Sequence, residues 1–289
     1  MPLASAPSHP QDFAFLGTPA FAVPPLRALV EAGHDVALVV SQPDKRRGRG
    51  GALVPSPVKQ AALDLGIPVT DRVDDVLDVG AELGVVAAFG RIIKPHVLER
   101  LPMVNLHFSL LPRWRGAAPV ERAILAGDER TGVDLMVVEE GLDTGGVHDR
   151  VEVAIGPDET ADELVRRLSA AGAEMLVRNL AAGLGTPRPQ EGEPTYAHKI
   201  EPAERRIDWT RPAVEVHRLV RIGGAWTTHH GARLKVWATT LEDRPGTVPV
   251  EAGDGPIHLV EVQPEGRRRM PAAAWANGVH WDPSDKLGT

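Results

Sequence analysis

Residues 105–119 read Asn-Leu-His-Phe-Ser-Leu-Leu-Pro-Arg-Trp-Arg-Gly-Ala-Ala-Pro, and a short apolar run, Met103 to Leu106, leads straight into them. Side chains two apart on a strand share a face, so Asn105 and His107 present an amide and an imidazole side by side. They do so at a strand's C-terminal end, where open α/β sheets bind their ligands. Downstream, Gly141-Leu142-Asp143-Thr144-Gly145 places a carboxylate on a glycine-flanked loop after another apolar strand. Amide, imidazole and carboxylate together define a candidate site.

The pattern around that stretch alternates strand and helix. Phe13 to Leu16 is closed by Gly17-Thr18-Pro19, and a helical pattern then runs to Ala32 and stops at Gly33. Val36 to Val40 is the next β-rich run, after which Ser56-Pro57 offers an N-cap and a first-turn proline for a helix to Leu65. Gly84 to Ala88, Met103 to Leu106 and Val133 to Val138 read as buried strands, with helices from Lys94 and over Pro119 to Ala126 between them. Near-continuous apolar strands of this kind suit a parallel sheet covered on both faces. The expected fold is a doubly wound, Rossmann-like α/β domain.

Thr160-Ala161-Asp162-Glu163 has the form of a capping box and opens a long helix to about Ala182. A glycine- and proline-rich stretch follows, then a helix over Ala213 to Arg221 and short strands such as Arg233 to Ala238 and Ile257 to Val262. The expected division is a flexible tail over 1–12, a first domain over 13–183, a linker over 184–212 and a small β domain over 213–289.

Composition narrows the chemistry. With no cysteine among 289 residues, disulfides, thiolate catalysis and Cys-ligated zinc are excluded. No apolar run approaches the ~18 residues of a membrane span, and the start has neither a secretory nor an Arg-rich transit pattern. No membrane partner is expected, and the cytoplasm is the expected compartment. Gly17-Thr18-Pro19 lacks the later glycines of a dinucleotide fingerprint, and no Walker sequence occurs. The net charge of −7 opposes a nucleic-acid partner in bulk, but two basic patches qualify it. One holds Lys45, Arg46, Arg47 and Arg49; the other, from Glu204 to Lys235, has seven basic against three acidic residues. Local patches on an acidic body suit a folded RNA that touches the protein in places.

A neutral imidazole can accept a proton from an attacking nucleophile, and a carboxylate can fix its tautomer. An amide NH₂ is a neutral donor for a developing oxyanion. Ser109 lacks the G-x-S-x-G elbow, so a backbone or ligand-positioning role suits it better than nucleophilic attack. His229-His230 has no further ligand spacing around it, and no metal is expected. Trp114, between Arg113 and Arg115, reads equally as core packing or as a stacking platform. Without an activated Ser or Cys the substrate must bring its own nucleophile, which fits acyl transfer to an amine or hydrolysis by water.

At these residues the chain resembles the folate-dependent formyltransferases, most closely those acting on methionyl-tRNA. The likeness is carried by Leu16-Gly17-Thr18-Pro19, Gln42-Pro43-Asp44, Gly48-Arg49-Gly50, Pro55-Ser56-Pro57-Val58-Lys59, Ser109 to Pro119, Gly141 to Gly145, Arg206-Ile207-Asp208-Trp209 and Val262-Gln263-Pro264-Glu265-Gly266. The resemblance implies a formyltransferase domain followed by a small, shortened OB-like β-barrel, with Asn105, His107 and Asp143 as the catalytic trio. It implies 10-formyltetrahydrofolate as the formyl donor, contacted by Ser109, Leu110, Leu111 and Pro112. Phe89, Gly90, Arg91 and Ile92 would form part of the pterin pocket. It further implies initiator methionyl-tRNA as partner, met by Lys45, Arg46, Arg47 and Arg49 at its acceptor end and by Lys199 and Lys235 on the β domain. A monomer is expected. In the C-terminal third, Gly223-Gly224-Ala225-Trp226 stands where the family usually has Asn-Pro-Trp-Pro. The rival readings are a formyltransferase acting on an amino sugar or nucleotide, a formyl-tetrahydrofolate hydrolase, and an RNA-binding module without turnover.

Overall fold

The computed structural model describes residues 3–47, 51–282 and 285–288. In chain order its strands and helices are β1 (Asp12–Gly17), α1 (Val23–Glu31), β2 (Asp35–Val40), β3 (Lys45–Arg47), β4 (Ala52–Val54), α2 (Pro57–Asp64), β5 (Val69–Thr70), β6 (Leu83–Ala87), α3 (Pro95–Leu98), β7 (Met103–His107), β8 (Arg115–Gly116), α4 (Pro119–Ala126), β9 (Arg130–Val137), β10 (Val147–Ala154), α5 (Ala161–Ala182), β11 (Tyr196–Ala197), α6 (Ala213–Arg221), β12 (Trp226–His229), β13 (Ala232–Thr240), β14 (Val248–Ala252), β15 (Gly255–Pro264), β16 (Met270–Pro271) and α7 (Ala272–Val279). Contacts group them into two compact units. The first is Met1–Pro119 with Arg130–Val153 and Val165–Ala197; the second is Val120–Glu129 with Ala154–Leu164 and His198–Thr289.

The first unit is built on a seven-stranded sheet in the order β10-β9-β7-β6-β1-β2-β5. β1 pairs in parallel with β2 on one side and with β6 on the other, so the strand order reverses beside it. That switch point opens a crevice at the C-terminal strand ends, which is why the chain places its chemistry there. β6 is buried along its whole length and β1 along all but its first residue, as strands covered on both faces must be. Leu16, Val40, Val86, Val97 and Met103 pack into one core on this scaffold.

Two local signals in the sequence have direct structural counterparts. Ser56 caps α2 by accepting a hydrogen bond from the Lys59 N–H at 3.0 Å, with Pro57 in the first turn. Thr160 and Glu163 exchange the two bonds of a capping box at the start of α5, at 2.9 and 3.3 Å.

One expectation is corrected. The sheet is mixed, because β9 runs antiparallel to β7, with Val104 opposite Val137 and His107 opposite Asp134. An apolar run reports burial on both faces, and burial carries no direction. Within the expected tail, the Ala4 N–H donates to the Leu98 carbonyl, the Leu184 N–H to the Ser8 carbonyl and the Gln11 N–H to Glu82. Residues 187–197, within the expected linker, are stitched into the first unit. Val147 and Arg188 exchange two main-chain bonds, and β11 pairs in parallel with β8.

The second unit holds a five-stranded antiparallel sheet, with β12, β13, β15 and β14 in order and β16 added to β15. Val220 of α6 and Trp275 of α7 share a core with Val236, Leu259 and Val262. Among the described residues no helix is long and apolar enough to cross a membrane.

Ser41 and Ser56 hydroxyls also share a buried hydrogen bond of 2.6 Å. Ser56→Ala therefore removes the cap of α2 and strands the Ser41 hydroxyl. A loss of about 1–2 kcal/mol is expected, read as a lowered midpoint in urea denaturation.

Candidate active site

β7 ends in the site. Asn105 is half-buried and His107 only 5% exposed, both on one strand face. His107 Nε2 lies 3.0 Å from the Trp114 carbonyl oxygen, which can only accept, so this nitrogen carries the hydrogen of that contact. On the other side of the ring, Nδ1 lies 3.6 Å from Asp143 Oδ2. The same carboxylate oxygen accepts the Gly116 N–H at 2.8 Å. The structure thus brings His107 and Asp143 together and ties the carboxylate to the loop that carries Trp114.

The Asp143 loop needs unusual backbone. Asp143 itself has φ +50°, a left-handed conformation that aspartate tolerates better than most residues. Gly145 has no alternative, because a Cβ there would run into the Val137 carbonyl. The glycines flanking Asp143 therefore answer to packing, and the carboxylate is delivered as a consequence.

Ser109 is fully buried and its hydroxyl donates to the Arg113 carbonyl at 2.6 Å. It braces the turn, in keeping with a backbone role. Leu111 is buried, while Leu110 and Pro112 are half-buried along the same loop. The loop is clamped from beneath by a pair that sequence reasoning missed. Asp134, wholly buried, accepts the Leu111 N–H at 2.9 Å and two bonds of 2.6 Å from Arg150, whose guanidinium also donates to the Leu111 carbonyl. Burial pushes the Asp134 carboxyl above the usual carboxylate range, opposed by its bonds and proximity to Arg150. Asp134 and Arg150 sit on neighbouring strands, and nothing in the linear sequence marks them as partners.

Phe89 to Ile92 leave the end of β6. Phe89 is buried, and its carbonyl accepts bonds from Gln42 and Thr18 at 3.2 and 3.4 Å. Ala88 and Gly90 both have positive φ, which turns the chain sharply here. Arg91 donates to the Asp71 carbonyl at 2.6 Å, and Ile92 is 89% exposed. Phe89 packs into the core with Leu16 and Val86, whereas Leu111 packs with Met136 and Val147.

Lys45 and Arg46 are exposed on the β3–β4 hairpin, where Arg46 donates to the Gly51 carbonyl. The side chain of Arg47 and all of Arg49 lie outside the described residues. In the second unit Lys199 and Lys235 are exposed. Arg233, Lys235 and Trp237 alternate with buried Leu234 and Val236 along β13. There Trp226 carries the Arg233 guanidinium 4.2 Å from its ring centroid and Arg206 at 5.7 Å, while Trp237 carries Arg269 at 4.8 Å and Lys235 at 5.9 Å. Cations interleaved with indole rings make a surface suited to phosphates and bases.

Comparison with known proteins sets this geometry in a class. Residues 12–180 match the family model described as formyl transferase, and residues 199–280 match the formyl transferase C-terminal domain. The chain belongs to the formyl transferase family. It is 46% identical over 298 aligned positions to the methionyl-tRNA formyltransferase of Symbiobacterium thermophilum, covering 91% of each chain. It is 42% identical to that of Solibacter usitatus, covering 95% of this chain and 97% of the relative. Among solved structures it shares the fold of the N-formyltransferase from Helicobacter canadensis in complex with folinic acid and dTDP-3-aminofucose, with a TM-score of 0.67 at 19% identity over 86% of this chain and 98% of that one.

Removing Arg150 would leave the Asp134 carboxylate buried without its cation. Arg150→Met should cost about 2–3 kcal/mol at neutral pH, below the range for fully buried pairs because the Arg150 side chain is 39% exposed. A carboxyl whose folded-state pKa is raised binds protons more readily folded than unfolded, so its ionisation costs stability as pH rises. The variant raises it further, and the deficit against the parent should shrink between pH 7 and pH 5 in urea titrations. A deficit constant across that range would refute the assignment.

Proposed function

We propose that this chain transfers the formyl group of 10-formyltetrahydrofolate to the α-amino group of initiator methionyl-tRNA, in the cytoplasm, for translation initiation. The observation that carries the chemistry is the His107–Asp143 pair, 3.6 Å apart, with no cysteine or base-paired serine beside it among the described residues. The chain has no cysteine, and the Ser109 hydroxyl is spent on the Arg113 carbonyl. A site that supplies proton handling and donors without a nucleophile suits an acceptor that brings its own, the amine. The 46% and 42% identical relatives support methionyl-tRNA as that acceptor over an amino sugar or nucleotide.

The bound folate supplies an activated one-carbon acyl group. The side chains do the rest. Asn105 donates to the formyl oxygen where negative charge develops as the amine attacks the formyl carbon, and His107 joins it with its Nε2–H, exchanging the Trp114 carbonyl for the substrate. Asp143 orients the imidazole through Nδ1 and helps take the proton that the amine must lose, and that proton passes to the folate nitrogen as its bond to the formyl carbon breaks. Phe89 to Ile92 and Leu110 to Pro112 hold the pterin. The basic hairpin with Lys45 and Arg46 meets the acceptor end of the tRNA, and the β domain over 213–289 grips the stem through Lys235 and its neighbours. Lys199 contributes a further phosphate contact.

Asn105→Ala, His107→Ala and Asp143→Ala should each lower kcat about 10²–10³-fold, roughly 3–4 kcal/mol of transition-state stabilisation. Binding of tRNA, read on filters, should survive. A His107→Ala enzyme with near-parental turnover of charged initiator tRNA would remove the assignment, and transfer to an amino sugar in preference would replace the acceptor.

Lys235→Ala should instead act on the tRNA alone. The dependence of log affinity on log salt should flatten by about 0.7–0.9, the value of one phosphate contact. The Michaelis constant for the formyl donor should not move. An unchanged salt slope would place Lys235 off the tRNA path.

A further inference from the structure

Gln190 lies outside every motif that carries the family resemblance, in a stretch whose composition reads as linker. Its carboxamide is nevertheless saturated. Nε2 donates to the Asp143 carbonyl at 2.8 Å and to the Gly145 carbonyl at 2.9 Å. Oε1 accepts from Arg115 Nε and Nη2 at 3.1 and 2.6 Å. Carbonyls only accept and a guanidinium only donates, so the partners fix which end of the amide is which. Arg115 adjoins Gly116, whose N–H holds the Asp143 carboxylate, and follows Trp114, whose carbonyl holds His107 Nε2. One side chain therefore joins the two loops that together orient His107.

We propose that Gln190 is a positioning residue for the Asp143–His107 pair, acting by fixing the main chain of the Asp143–Gly145 loop against Arg115. The inference rests on the reading of Asp143 as part of the catalytic site. The Asp143 backbone is left-handed at φ +50°, a conformation that needs outside support. Two carbonyls converging on one NH₂ group supply that support and set the direction from which the carboxylate leaves the loop. Segment 187–197 holds Gln190 in place through main-chain bonds. Thr195 donates to the Pro112 carbonyl and accepts from the Arg115 N–H, and its hydroxyl accepts the Trp114 N–H at 2.9 Å. The chain after α5 is thus a working wall of the site.

Two substitutions separate positioning from mere bracing. Gln190→Glu keeps an acceptor for Arg115 but sets a carboxylate against the two loop carbonyls. Gln190→Met keeps the length and loses every bond. A displacement of about 1 Å at a reacting group costs on the order of 10²-fold in rate. Both variants should lower kcat about 10–100-fold with Michaelis constants for formyl donor and tRNA within about twofold, and both should shift the pH profile of kcat. If the bonds to the loop carbonyls do not matter, Gln190→Glu will keep the parental kcat and profile, and the proposal is overturned. It is equally overturned if both variants keep parental kcat, or if the loss appears in the Michaelis constants alone. Should Gln190→Met fail to fold, Arg115→Met frees the amide oxygen while leaving both loop bonds. It should change kcat and its pH profile in the same direction by a smaller factor, and no change would overturn the proposal. Asp143→Asn serves as the reference. If it turns over at the parental rate, the catalytic reading itself fails. If it is inactive while both Gln190 variants are not, only the role of Gln190 fails.

Discussion

The Asp143 carboxylate has to satisfy two groups at once, the Gly116 N–H at 2.8 Å and the His107 imidazole at 3.6 Å. They sit on separate segments, one in the loop after β7 and one at the end of that strand, while the carboxylate itself comes from the loop between β9 and β10. Three pieces of chain must therefore hold a common register to within a few tenths of an ångström. An isolated surface loop would not do so, because ordering each residue costs roughly 1–2 kcal/mol. Much of the first unit follows from meeting that requirement. The glycine at 145 lets the β9–β10 loop lie flat on the Val137 carbonyl, and the left-handed Asp143 turns the carboxylate back towards β7. Gln190 binds the loop's carbonyls to the strand that holds Gly116.

The strand beside β7 meets a different constraint. Asp134 stands opposite His107 in the antiparallel ladder, and its carboxylate is entirely buried. A lone buried carboxylate is expensive, so the pair with Arg150 offsets a cost more than it adds stability. Its return is geometric. Asp134 takes the Leu111 N–H and Arg150 takes the Leu111 carbonyl, so one peptide unit is gripped at both polar ends. Leu110 to Pro112 are thereby held independently of any ligand, as a preorganised site requires. The mixed sheet makes this possible. The antiparallel register sets Asp134 opposite His107 at the end of β7.

What the sequence makes legible is local or periodic. The buried strands β1, β2, β6 and β7 show as apolar runs, and the caps at Ser56 and Thr160 show as residue types at fixed offsets. Asn105 and His107 are legible because a strand's period of two places them on one face. What escapes has no such period. The direction of β9 leaves no trace in its hydrophobicity, and β10 is half-exposed, with His148-Asp149-Arg150 interrupting any apolar pattern. Residues 187–197 escape for a further reason. They are fixed by main-chain bonds through Arg188, Thr195 and Ala197, which any residue but proline can make. Glycine and proline there look like a linker, yet they are turn residues on a pinned segment. Gln190 shares that fate, since one glutamine among turn residues carries no signal until its four bonds are seen.

Specificity has to come from elsewhere in the molecule, because amide, imidazole and carboxylate would serve any amine acceptor. With a net charge of −7 the protein repels nucleic acid over most of its surface. The repulsion falls away only where cations gather, and on β13 they gather against indoles: Arg233 on Trp226, and Lys235 with Arg269 on Trp237. A guanidinium resting on an indole is restrained before binding, so less side-chain entropy remains to be lost when it meets a phosphate. Under the proposed function, restrained charge on an acidic body would favour a partner with phosphates in a fixed spatial pattern over any free polyanion. A folded RNA has that pattern, and a nucleotide sugar, with one or two phosphates, does not. The acidic composition that first argued against a nucleic-acid partner is, on this account, part of how the right one is chosen.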